Sequence, residues 1–81
     1  QKAAQVDRWT TILDGQRLQQ LRREQGLSQE KLADRAGVSL TTIARLERQP
    51  RPPCRSWTLG RLAAALGAPI AILQAAAQKE S

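Results

Sequence analysis

Apolar residues recur at helical spacing through most of the chain, and the clearest run lies between Gln29 and Arg48, QEKLADRAGVSLTTIARLER. Leu32, Ala33, Ala36, Val38, Ile43 and Leu46 supply its apolar positions, while Gly37 and Ser39 interrupt the period. This pattern predicts two short helices, about 29–36 and about 40–48, joined by a tight turn. Gly37 is placed to adopt positive φ, where a Cβ would cost energy, and Ser39 to cap the second helix. Ala33 is small enough for two helices to cross closely at a steep angle.

The same period continues on both sides. A helix is predicted from about Gln16 to Gln25, with Leu18 and Leu21 inward, Asp14 as its cap and Gly26 at its end. Leu27 then turns into the core, and Ser28 caps the helix that follows. Residues Gln49 to Arg55, QPRPPCR, carry three prolines in four positions and read as a stiff basic loop. Ser56 is expected to cap a helix, SWTLGRLAAALG, whose buried stripe is Leu59, Leu62, Ala63 and Leu66 and whose end is Gly67. Pro69 suits the first turn of a last helix, with Ile70 and Leu73 inward. Ahead of all these, Trp9, Ile12 and Leu13 stand at i, i+3 and i+4, a candidate short extra N-terminal helix. The expected architecture is all-α and compact, with five helices or six and no strand. Residues 1–14 form an extension, 15–77 the domain and 78–81 a tail.

Composition narrows the function. At 81 residues the chain holds one domain with a modest core, and its net charge of +6 favours an acidic partner such as nucleic acid over a merely soluble basic protein. Arginines outnumber lysines by ten to three; a planar guanidinium suits phosphate or guanine, although a genome rich in G and C would produce the same bias. With a single cysteine and no histidine, neither an internal disulfide nor a His/Cys zinc site can form, which fits a reducing, cytoplasmic setting without a metal. No apolar run approaches the roughly 18–20 residues of a membrane span. No glycine-rich phosphate loop or nucleophile–base pair is present, so neither an enzyme nor a cofactor is expected. A first residue Gln1 in place of Met marks the chain as an expected excerpt or processed form.

The candidate chemistry gathers on the second helix of the central unit. Thr41, Arg45 and Arg48 fall at i, i+4 and i+7, opposite Ile43 and Leu46, with Leu40 and Ala44 beside them. A helix fits the major groove, where Arg bonds guanine O6 and N7 while Leu40 or the Thr41 methyl touches thymine methyl groups. The alternative for Arg45 is a solvated charge. Gln29, with the free N–H groups of its helix terminus, suits a phosphate and can also bridge to the next helix. Ser39, Thr42, Arg48, Arg51 and Arg55 are candidates for backbone or mixed contact, and for Arg51 and Arg55 loop solubility is the competing role. Trp9 reads as a lid on the core or as a partner-binding anchor, and Trp57 as core or as an exposed anchor. Cys54, between Arg51 and Arg55, is either an inert loop cysteine or a redox-sensitive thiol with a lowered pKa.

The stretch LRREQGLSQEKLADRAGVSLTTIARLER resembles the helix-turn-helix domain of Cro-like and lambda-repressor-like regulators, the XRE family. Its most specific elements are Gly26-Leu27-Ser28-Gln29 leading into Leu32-Ala33, then Gly37-Val38-Ser39, then Ile43 and Leu46-Glu47. LAAALGAPIAIL resembles the closing helices, so the likeness runs from about Gln16 to Leu73. It implies a five-helix domain that binds double-stranded DNA sequence-specifically as a transcriptional regulator, usually a repressor and commonly a homodimer on paired half-sites. By that resemblance Gln29 matches a DNA-contacting residue, and Leu40, Thr41 and Arg45 match base-reading positions. Arg22 and Glu47 match a partly buried ion pair between the first helix and the end of the reading helix. The competing function is a protein-interaction module of antitoxin-like or regulatory type. Three features depart from the family: Arg48-Gln49-Pro50 replaces the usual glycine turn, Leu40 is less polar than many base readers, and the Trp9 to Leu13 segment lies outside the common pattern.

Overall fold

The computed structural model describes residues 9–75. The expected lead-in at 1–8 and tail at 78–81 lie outside the described residues. In chain order the elements are β1 (Thr10–Ile12), α1 (Gly15–Glu24), α2 (Gln29–Ala36), α3 (Leu40–Arg48), β2 (Pro53–Arg55), α4 (Ser56–Leu66) and α5 (Ile70–Leu73).

The helix boundaries follow their caps. Asp14 Oδ1 accepts from the Arg17 amide at 3.0 Å, Ser28 Oγ from the Lys31 amide at 3.0 Å, and Ser39 Oγ from the Thr42 amide at 3.1 Å, so three helices open on a side-chain oxygen that satisfies an orphan N–H. Between α2 and α3, Gly37 takes φ 73° and ψ 33°, the left-handed conformation that a side chain would oppose. α4 begins differently from the expectation. Arg55, not Ser56, holds the cap position and makes no side-chain cap bond, and Pro69 likewise sits at the cap of α5 and not within its first turn.

Leu13, Leu18, Leu32, Ile43, Leu46, Leu59, Leu62 and Leu73 are fully buried and, with Ala33, Ala36 and Ala63, form one core shared by all five helices. α2 and α3 pack on each other, with α1 against α3 and α4 against α2. Two expected core positions fall outside it. Trp57 lies two residues before Leu59, about 200° away around the helix, and so faces solvent. Ile70 is 48% exposed because α5 is a single turn from which only Leu73 reaches inward.

The segment expected as an extra N-terminal helix is instead a strand. Thr10, Thr11 and Ile12 are consecutive β-branched residues, which lose side-chain freedom in a helix and suit extended backbone. β1 pairs antiparallel with β2 in the register Thr10 to Arg55, Thr11 to Cys54 and Ile12 to Pro53. Extended backbone also serves the proline loop: Pro52 lacks an N–H, yet its carbonyl accepts from the Leu13 amide at 2.9 Å, and the Ser56 amide donates to the Trp9 carbonyl at 2.8 Å. On its other side the same segment meets the end of the described chain. Asp14 N–H donates to the Leu73 carbonyl at 2.7 Å and Ala75 N–H to the Ile12 carbonyl at 2.9 Å, so residues 10–14 join the α3–α4 connection to α5.

Gly15 marks the tightest approach. Its amide donates to the Pro50 carbonyl at 3.1 Å, and a Cβ on it would overlap the carbonyl oxygens of Leu46 and Gln49. The N-terminal end of α1 is thereby pressed against the C-terminal end of α3, where positive and negative dipole ends meet. Gly15→Ala should therefore destabilise the protein by about 3 kcal/mol through overpacking. Gly60→Ala, whose Cβ enters open space within α4, should instead stabilise by about 0.5–1 kcal/mol. Urea denaturation of both variants beside the parent chain checks the pair of signs.

Candidate nucleic-acid interface

α3 divides its nine residues between two tasks. Ile43 and Leu46 are fully buried, Leu40, Thr41 and Arg48 are exposed, and Thr42, Ala44 and Arg45 lie between these extremes. Thr41, Arg45 and Arg48 share the outward face, with Leu40 and Ala44 beside it. The only acid on this helix, Glu47, turns away, and its side chain is 2% exposed.

Glu47 is held by donors from three places. Arg22 Nε donates to Glu47 Oε2 at 2.6 Å and Arg22 Nη2 to Oε1 at 2.9 Å, a two-bond pairing between α1 and α3. Gln29 Nε2, at the first residue of α2, donates to Oε1 at 3.1 Å, and Gln19 Nε2 reaches the same oxygen at 3.5 Å. The remaining Arg22 nitrogen, Nη1, donates to the Leu27 carbonyl at 2.7 Å in the α1–α2 turn. Burial pushes the Glu47 carboxyl up, but the bonds from Arg22 and Gln29 and the nearby guanidinium charge outweigh it, leaving the group below its ordinary value. Hydrogen bonding to Glu47 raises Arg22 in turn, against the opposing effect of its burial.

The remaining singled-out residues spread around this face. The Gln29 amide nitrogen is engaged by Glu47, so its side-chain oxygen is the atom not used in that contact. Ser39 Oγ and Thr42 Oγ1 bond each other at 2.9 Å in the cap of α3. Arg45 leans along the helix toward β2, with Nη1 3.4 Å from the Pro53 carbonyl, and it lines a shallow depression with Thr10, Pro53, Cys54 and Arg55. Arg51 lies elsewhere, beside Asp14, Gln16, Pro50 and Ala75. The geometry thus brings Arg45 and Arg55 together and sets Arg51 apart from them. Cys54 is buried in β2, where loss of solvent pushes its thiol up against the opposing charge of Arg45; the lowered pKa that redox sensing requires is absent.

Two contacts that position the unit have no counterpart in the sequence reading. Arg61 Nη1 on α4 donates to the Gly37 carbonyl at 3.1 Å, holding the α2–α3 turn from behind. Gln25 Nε2 donates to the Leu66 carbonyl at 2.6 Å, tying the end of α1 to the end of α4. A lone arginine or glutamine on a polar helix face carries no signal of a carbonyl that is distant in sequence. Among the described residues no group of three or more His, Cys, Asp or Glu side chains could hold a metal ion, and no helix is long and apolar enough to cross a membrane.

Comparison with known proteins gives a consistent picture. A family profile described as a helix-turn-helix domain matches residues 15–76. Among solved structures, the restriction-modification controller protein C.AhdI from Aeromonas hydrophila is 36% identical, with a TM-score of 0.66 over 72% of this chain and 86% of that one. The master regulator for biofilm formation SinR, in complex with DNA, is 32% identical, with a TM-score of 0.67 over 70% of this chain and 90% of its own. The clp gene regulator ClgR from C. glutamicum is 30% identical, with a TM-score of 0.59 over 70% of this chain and 73% of its own. No curated protein sequence matches the chain.

The buried carboxylate makes a stability prediction with a defined sign. Glu47→Ala strands the Arg22 charge and should cost about 3–5 kcal/mol, whereas Glu30→Ala, at an exposed first-turn position, should cost less than about 1 kcal/mol. Because the folded Glu47 pKa lies below its unfolded value, its contribution is complete above the unfolded value, about 4.3, and is lost as pH falls through the folded one. Glu47→Gln should therefore melt well below the parent at neutral pH, with the gap narrowing as pH falls below the ordinary glutamate range. Thermal melts across that range, followed by circular dichroism, report both effects.

Proposed function

The chain belongs to the helix-turn-helix family of Cro-like and lambda-repressor-like regulators, and from that premise we propose that it binds specific sequences of double-stranded DNA and represses transcription there. The observation that carries this reading is the division of α3. An outward face of Thr41, Arg45 and Arg48 is free of carboxylate because the helix's own acid is buried on Arg22.

α3 enters the major groove in this reading. Arg45 offers paired N–H bonds to guanine O6 and N7, and Leu40 and the Thr41 methyl lie against thymine methyl groups. To reach a base edge Arg45 gives up only its long bond to Pro53, at 3.4 Å the weakest kind of side-chain hydrogen bond. Gln29, Ser39, Thr42, Arg48, Arg51 and Arg55 serve the sugar–phosphate backbone, fixing register without reading sequence. The net charge of +6 supplies the long-range attraction that brings the duplex to this face. Repression follows from occupancy: a domain seated in the groove excludes other proteins from the same base pairs.

A homodimer completes the proposal. Ile70 and Ile72, 48% and 37% exposed on the uncharged helix α5, offer an apolar patch to a second copy. Two copies related by a two-fold axis would place their α3 helices in successive major grooves, about 34–36 Å apart, and would read a palindromic site.

Selection of bound sequences from a random duplex pool tests the whole reading, since it should return two inverted half-sites about one helical turn apart. Recovery of no enriched sequence would count against it. In duplex titrations, Arg45→Ala should lose about 1–3 kcal/mol of discrimination at one base pair. Arg51→Ala should weaken all sequences alike and lower the slope of log K against log salt by about one. The opposite assignment of these two effects would overturn the proposed division of labour.

A further inference from the structure

Trp9 and Trp57, the only aromatic residues of the chain, are 54% and 57% exposed, unusual for so large an apolar side chain. They are also close neighbours through the backbone. The Ser56 amide donates to the Trp9 carbonyl at 2.8 Å, which sets Trp9 across from the first residue of α4, immediately before Trp57. Between them, in the strand register, Arg55 pairs with Thr10, and its guanidinium lies over the Trp57 ring at 5.6 Å from the centroid.

This cluster adjoins the reading face. Arg45 lies toward the outer side of α3 and also lines the depression that Thr10, Pro53, Cys54 and Arg55 complete, and among the described residues no carboxylate lines it. A guanidinium stacked on an indole keeps its edge N–H groups available while its plane is held, an arrangement suited to two bonds with one phosphate. The exposed indoles add flat apolar surface that can lie against a sugar. A protein partner would be expected to cover apolar neighbours. Here the exposed rings are interleaved with two arginines, and the exposed isoleucines belong to a different element, α5.

We propose that Trp9, Arg55 and Trp57, continuous with Arg45, form a second DNA-contacting surface that grips the sugar–phosphate backbone beside the groove occupied by α3. The inference rests on the DNA-binding reading and adds β1 and the start of α4 to the footprint. β1 then has a functional task besides its structural one: its pairing with β2 sets Arg55 and the Trp57 ring at a fixed distance from α3.

The two tryptophans supply their own probe. Trp9→Phe leaves Trp57 as the single emitter and Trp57→Phe leaves Trp9, and each variant is titrated at low salt with a mixed-sequence duplex of about 20 base pairs, with gel retardation run in parallel. The surface predicts a change in emission from both on duplex binding. Arg55→Ala should lower the slope of log K against log salt by about one, Arg55→Lys should restore it, and Trp57→Ala should weaken binding about threefold through loss of the stacked guanidinium. Retardation with unchanged emission from both tryptophans would show that the patch faces away from DNA and overturn the inference while leaving α3 in the groove; an Arg55→Ala slope equal to the parent's would overturn it too, together with the backbone role given to Arg55 in the proposed function. Emission that shifts only with protein concentration, duplex having no effect, would assign the patch to a protein contact and overturn it equally. Failure of the parent chain to retard any duplex would remove the DNA-binding reading itself, and this surface with it.

Discussion

Glu47 is the only acid on α3, and its burial against Arg22 governs the geometry around it. A carboxylate without partners would either stay at the surface, where it would repel phosphate, or carry a desolvation cost of several kcal/mol inside. Two bonds from Arg22 and one from Gln29 remove that choice. The same guanidinium also holds the Leu27 carbonyl, so a single side chain relates α1, the turn that follows it and the end of α3. Since Gln29 opens α2, the carboxylate fixes the first residue of one helix of the pair against the last turn of the other. The crossing of α2 and α3 is thus set at both ends: at the turn by Gly37 with Arg61 on its carbonyl, and at the far end by the Glu47 network.

A second constraint works through backbone alone. Prolines at 50, 52 and 53 deny the α3–α4 connection three N–H groups while leaving its carbonyls in place. Gly15 and Leu13 supply the missing donors to Pro50 and Pro52. The connection that replaces the family's glycine turn is therefore rigid because another segment completes it. That segment, once docked, also carries Leu13 into the core.

The helical half of the molecule was legible because its signals are local. Ser28, Ser39 and Gly37 announce cap and turn within three or four residues of the groups they serve, and the apolar period from Leu32 to Leu46 names its own inward face. The strand pair was not legible. Its two halves are three residues each, one of them opening on a proline, and the i, i+3, i+4 spacing of Trp9, Ile12 and Leu13 imitates a helix; only the β-branched run Thr10-Thr11-Ile12 points the other way. The bulk of Trp57 left core and exposed anchor both open, and its phase relative to Leu59 sets it outside. On α3, the outward set of Thr41, Arg45 and Arg48 could be read from phase, but the lean of Arg45 toward Pro53 depends on where β2 lies and has no local signal.

The position of residues 10–14 has a kinetic meaning. The pairings of α2 with α3 and of α4 with α5 join neighbours along the chain, the kind of local contact that forms early because little loop entropy opposes it. Leu13 with Pro52 and Asp14 with Leu73 join segments far apart in sequence, and they form only when both distant carbonyls are already in place. The N-terminal strand is therefore the keystone of assembly and not its seed: the first described residues of the chain are among the last to find their partners, and their docking closes the fold.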